Sequence, residues 1–192
     1  RQRQMCIRDR QWSLRYRWTS RQQTIPRYAP LLQWVTRQSF RLLYQRNLGD
    51  FSLQTAADAT ASRQQLHSAQ HYGVMLSLCL RYAPQTAWHA SGFVSLFSSD
   101  SFSSRLYAYQ PQLPGAGAFP SFYGTGCSGV AVVSWTPSRA WSISTRLALT
   151  HHWRIATSAH SSPETSPLSS STEPSSSSAF SLHCGLWLRY RF

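Results

Sequence analysis

The chain has 192 residues, 42% of them hydrophobic and 14% aromatic, a size for one domain and a composition too apolar for a disordered segment. Its formal net charge is +13, from 19 basic and 6 acidic residues, and every basic residue is Arg. The guanidiniums are scattered singly among apolar residues rather than clustered as a phosphate-binding patch would have them. No stretch of about 18 apolar residues offers a transmembrane helix, and no secretory signal is visible.

Residues 5–10, Met5-Cys6-Ile7-Arg8-Asp9-Arg10, resemble the translation of a sequencing-library transposon adapter. Residues 1–10 are therefore set aside, and residue 11 is expected to lie within a longer protein. From there the dominant period is two. Trp12, Leu14, Tyr16 and Trp18 alternate with Ser13, Arg15 and Arg17. A helix would spread those four apolar residues around its circumference, whereas a strand puts them on one face. The pattern returns at Phe40, Leu42 and Tyr44, and again from Tyr72 through Val74, Leu76, Leu78 and Leu80 to Tyr82. It recurs at Trp141, Ile143, Leu147 and Leu149. In the last segment Phe180, Leu182, Cys184, Leu186, Leu188, Tyr190 and Phe192 alternate with Ser181, His183, Gly185, Arg189 and Arg191.

Eight strands are predicted, near 11–19, 34–46, 49–61, 70–82, 86–98, 122–135, 139–153 and 180–192. Ordinary soluble strands are about 5–6 residues long, and membrane-spanning ones need about 9–11. Turn formers at Asn47-Leu48-Gly49-Asp50, Ala83-Pro84-Gln85 and Thr136-Pro137-Ser138 mark short connections. Between them lie long ones, 20–33, 62–69, 99–121 and 154–179, the last a Ser/Pro-rich low-complexity stretch. Short and long alternate, as periplasmic turns and external loops do in outer-membrane barrels. The stretch 102–110 is also strand-like and is assigned to an arm of an external loop. The expected fold is all-β, an antiparallel outer-membrane-type β-barrel of about eight long strands, incomplete in this chain, occupying residues 11–192.

Arg15, Arg17, Arg41, Arg81, Arg146, Arg189 and Arg191 fall opposite the apolar rows, which would face them into a lumen. An Arg turned to lipid at mid-membrane costs roughly 2–4 kcal/mol, and one in the lumen does not. They would make the interior attract anions, or would pair with polar neighbours in a solvated or plugged lumen. His151 and His152 are adjacent, so a strand directs them to opposite faces and they cannot chelate together. The four Cys show no metal-ligand spacing and read as isolated thiols. No GxSxG, phosphate loop or HExxH is present, so no catalytic residue, metal or cofactor is expected.

The terminal run Gly185-Leu186-Trp187-Leu188-Arg189-Tyr190-Arg191-Phe192 resembles the C-terminal assembly signal of outer-membrane barrels, carried by Gly185, Leu186, Leu188, Tyr190 and Phe192. That resemblance implies the barrel-assembly machinery and outer-membrane lipid as partners. A second resemblance rests on Gly73-Val74-Met75-Leu76, on Ser104-Arg105-Leu106-Tyr107-Ala108-Tyr109 and on Phe119-Pro120-Ser121-Phe122-Tyr123-Gly124-Thr125-Gly126. With the last strand it covers about half of the chain, and it is similar to the C-terminal barrel region of helix-hairpin-helix domain-containing proteins of Gram-negative bacteria. Arg105, Tyr107, Tyr109, Pro120, Tyr123, Gly124 and Gly126 are the matching positions. Gln110 stands where the family usually has an acidic residue, Thr125 where it has a basic one, and Cys127-Ser128 where it has an aromatic–basic pair. The resemblance implies an upstream nucleic-acid-binding part and assistance to DNA uptake, with nucleic acid contacted only through that part. The functional expectation is a structural or transport-related segment of an integral outer-membrane barrel. A soluble basic β-domain binding nucleic acid and a surface adhesin or ligand-binding barrel stay open as alternatives.

Overall fold

The computed structural model describes residues 10–24, 32–64, 70–84, 86–116, 119–138, 140–154 and 179–190. Eight long strands form one sheet. They are β1 (Arg10–Thr24), β2 (Leu32–Leu48), β3 (Phe51–Gln64), β4 (Gln70–Tyr82), β5 (Trp88–Ser99), β8 (Gly124–Trp135), β9 (Trp141–Arg154) and β10 (Ala179–Tyr190). Two short strands, β6 (Leu106–Tyr107) and β7 (Ser121–Phe122), pair only with each other. The main sheet runs β1-β2-β3-β4-β5-β8-β9-β10 and every neighbouring pair is antiparallel. β1 and β10 are its edges, so the fold is all-β, antiparallel and unclosed, as an incomplete barrel is.

All eight predicted strands are present. β1 and β3 continue into stretches assigned to connections, to Thr24 and Gln64, and β1 begins at Arg10, inside the segment set aside as adapter-like. Arg10 pairs with Arg46. The β2–β3 turn closes over two residues after the Leu48↔Phe51 pair, with Gly49 at φ 59°, the left-handed conformation that tight hairpins require. Thr136 N donates to Ala87 O at 2.8 Å and ties the β5 and β8 ends together.

The register aligns the alternation of every strand into two continuous faces. Leu14↔Leu42↔Ala57↔Leu76↔Leu96 is one cross-strand row of the outer face, and Leu149↔Leu182 extends the same face to the far edge. This apolar face is uncovered: Trp12 is 66% exposed, Leu76 63% and Leu186 71%. The inner face holds the core. There Met75, Phe93, Phe97 and Val130 are buried, together with Leu106, Ala108 and Phe122 from the connection between β5 and β8.

That connection turns back over the sheet instead of projecting as the arm of an external loop. Ser101 caps a 3-10 turn at Phe102–Ser104, with its Oγ accepting from Ser103 N. The chain then crosses the inner face and reverses near Gly115, at φ 83°. It returns through Ser121–Phe122, which pairs with Leu106–Tyr107. The result is a hairpin inserted against the sheet. Ser104, Leu106, Ala108 and Gln110 are buried against the strands, while Tyr107 and Tyr109 point away.

Candidate functional site

The seat of the hairpin is built from small and hydroxylated residues. Thr60 Oγ1 donates to Ser104 O at 2.8 Å, Ser62 Oγ to Ser103 Oγ at 3.0 Å, and the Ser99 and Ser104 hydroxyls lie 2.9 Å apart. Gly73 is required by close approach: a Cβ there would lie 2.5 Å from Ser104 O and 3.3 Å from Leu106 Cδ1. Gly126, at a β-bulge in β8, is likewise closed in, because a Cβ would lie 2.3 Å from His151 O. Gly124 has φ 75°, where the chain turns out of β7 into β8.

Arginines clamp the hairpin from both sides. From β2, Arg37 Nη2 donates to Arg105 O, and Arg41 Nη2 donates to Tyr107 O at 2.7 Å. Arg41 also forms an ion pair with Asp58 of β3. From β9, Arg146 Nε donates to Pro111 O at 3.2 Å and its Nη2 to Gln110 Oε1 at 3.3 Å. Gln110 Nε2 in turn donates to Ser128 Oγ at 3.3 Å. Guanidiniums also pack on the outward rings of the hairpin. Arg37 and Arg105 lie 5.7 and 5.6 Å from the centre of Tyr107, Arg81 lies 5.7 Å from Tyr109, and Arg105 lies 4.2 Å from Phe102. Arg105 Nε bonds Tyr107 Oη.

The register places Arg15, Arg17, Arg41, Arg81, Arg146 and Arg189 on the inner face. Arg191 and Phe192 lie outside the described residues. Arg21 and Arg37, which the sequence analysis did not single out, share that face. The hairpin adds Arg105. Among the described residues the single ion pair is Arg41–Asp58, so this side of the sheet carries a large excess of positive charge.

Leu186, Leu188 and Tyr190 of the terminal run are exposed on the outer face. Gly185 is on the inner face, where its missing side chain admits the hairpin; a Cβ would lie 2.9 Å from Leu113 Cδ1. Tyr123 packs edge-on against Phe102 and lies 6.2 Å from the His152 ring, and Tyr109 lies 6.3 Å from Phe119. Pro120 precedes β7 and is half-buried. His151 and His152 do point to opposite faces: His151 lies beside the exposed Trp153 and His152 against Phe97. Cys79 is buried inside, and Cys127 and Cys184 lie on the outer face, all three as free thiols.

Aromatic pairs mark the short-turn end of the outer face on all eight strands. Trp12–Tyr44, Phe51–Tyr82, Trp88–Trp135 and Trp141–Tyr190 have ring centroids 4.4, 4.6, 5.2 and 4.8 Å apart. The opposite end carries exposed Trp34, Tyr72, Trp153 and Phe180. Tyr72 and Tyr82 stand ten residues apart on β4. That is about 34 Å of strand, or about 26 Å along a barrel axis at the usual ~40° tilt.

No family model matches the chain, and neither a curated protein nor a solved structure matches it.

Proposed function

We propose that this chain is a segment of an integral outer-membrane β-barrel, structural or transport-related, with an arginine-lined interior occupied by an inserted hairpin. One observation carries the reading: an uncovered apolar face, bounded at the short-turn end by aromatic pairs on all eight strands, backs onto a polar, arginine-rich face. Water would penalise that outer surface, which is far larger than the few hundred Å² a soluble monomer leaves exposed. A bilayer about 25 Å thick between aromatic girdles accommodates it. The inner arginines support anion attraction, since a lumen lined by one sign of charge selects against the same sign. Outer-membrane lipid and the assembly machinery are the partners of this reading. A part in DNA uptake rests on the resemblance of residues 73–153 alone.

The test is fractionation of the expressed chain, followed by electrophoresis with and without boiling. Recovery only in detergent, with heat-modifiable migration, is expected. Recovery in the soluble fraction would overturn the reading and leave the basic soluble domain in its place.

A further inference from the structure

We propose that Arg37 and Arg105, gathered on the ring of Tyr107, form a binding site for a doubly charged oxyanion: inorganic phosphate or the phosphate group of a small organic ester. The proposal deepens the anion-attracting interior by naming a site and a ligand chemistry, and to that extent rests on it.

Three features point to the ligand. First, two guanidiniums are held together against like-charge repulsion. Both carbon centres lie within 6 Å of the Tyr107 ring centre, and Arg37 reaches the backbone carbonyl of Arg105 itself. Second, their charge is unanswered. Among the described residues neither guanidinium pairs with a carboxylate; Asp58, the one acid on this face, is taken by Arg41. Third, the donors are oriented but underused. Arg37 bonds Arg105 O and the Tyr107 side chain, and Arg105 Nε bonds Tyr107 Oη, which leaves several N–H groups of the two guanidiniums for a ligand. A guanidinium has five N–H groups, and its planar fork fits an oxyanion with two parallel bonds. The Tyr107 hydroxyl and ring fix the Arg105 plane, so little side-chain freedom is lost on binding. Two cations gathered on one ring match a dianion in charge, which favours phosphate over chloride or a single carboxylate.

The full chain, refolded into a sugar-headed detergent so that no phosphate is introduced, is titrated calorimetrically with inorganic phosphate at constant ionic strength. Glycerol phosphate is titrated in parallel. Saturable binding of at least one probe is expected, and the tighter of the two names the source. Arg105→Gln should weaken binding about tenfold or more, the scale of losing charge-assisted hydrogen bonds. Arg105→Lys, which keeps the charge and loses the fork, should recover only part of that. Arg46→Gln removes one charge from the outer face, where Arg46 pairs across from Leu53, and should leave binding unchanged. Equal losses in Arg46→Gln and Arg105→Gln would overturn the site in favour of diffuse attraction. An assembled, heat-modifiable chain that binds neither probe would overturn the site and leave the barrel standing. A chain that binds phosphate without detergent would support the site and remove the barrel. Circular dichroism of each variant separates lost binding from lost fold.

Discussion

Leu188 and Arg189 are neighbours on β10 that the register sends to opposite faces. Leu188 is 58% exposed in the outer row opposite Ile143, and Arg189 lies across from Ser142 on the inner face. If lipid covers the outer face, Leu188→Arg should cost roughly 2–4 kcal/mol near mid-membrane, and less toward the interface. It should sharply lower the yield of heat-modifiable protein. Arg189→Gln should leave that yield near wild type; equal losses in the two would undo the assignment of faces. Glycines offer a second matched pair. Gly73→Val drives its Cβ into Ser104 O and should unseat the hairpin, whereas at Gly92 a Cβ meets nothing within 4 Å and Gly92→Val should be tolerated. Arg105 is a trypsin site on the hairpin, so limited proteolysis should cut after it faster in Gly73→Val and at the wild-type rate in Gly92→Val. The faces of single residues were legible because large apolar and charged residues alternate in β1, β4 and β10. Arg37 was not, because Thr36 and Gln38 beside it blur the alternation; its parity with Arg41 was the available signal.

At the scale of elements, the strands were readable and the hairpin was not. Its period-two pattern over Ser104–Gln110 is plain in the sequence, but Arg105 and Leu106 apart the polarity is inverted. Ser104, Leu106, Ala108 and Gln110 face the sheet, with Leu106 the one large apolar side chain among them, and the rings of Tyr107 and Tyr109 face away. Hydrophobic periodicity assigns large apolar residues to the buried side, so it cannot place such a segment. Contact with the inner face comes from the packing of Leu106, Ala108 and Phe122 into the core and from hydroxyl and guanidinium hydrogen bonds to the hairpin backbone, and the latter leave little trace in the order of residues. One of these bonds can be strengthened. Arg146 meets the neutral amide of Gln110, which is buried and also held by Ser128. Gln110→Glu would turn that contact into a charge-assisted bond, with the Ser128 hydroxyl able to donate to the new carboxylate. Charge-assisted bonds are about twice as strong as neutral ones, a gain of about 1 kcal/mol. Tryptic cleavage after Arg105 should slow by about fivefold; an unchanged or faster rate would mean that Arg146 does not anchor the hairpin.

For the molecule as a whole, the distribution of Trp provides a test that needs no knowledge of ligand. Of the eight Trp, Trp12, Trp18, Trp34, Trp88, Trp135, Trp141 and Trp153 are exposed on the outer face. Trp187 alone sits on the inner face, opposite Ser144. In a barrel, lipid would reach seven of them and water-filled or protein-filled interior the eighth. Bilayers containing acyl chains brominated along their length should therefore quench most of the emission of the reconstituted chain, and the residual signal should come from Trp187. Trp187→Phe should remove that residue of emission while leaving the quenched fraction in place. Iodide added outside should act weakly, because the outer rows would be shielded. Strong quenching by iodide with little effect of bromine would place the aromatic belts in water. The apolar face would then need a protein partner to cover it, and the long strands and paired girdles would have to be explained without a bilayer.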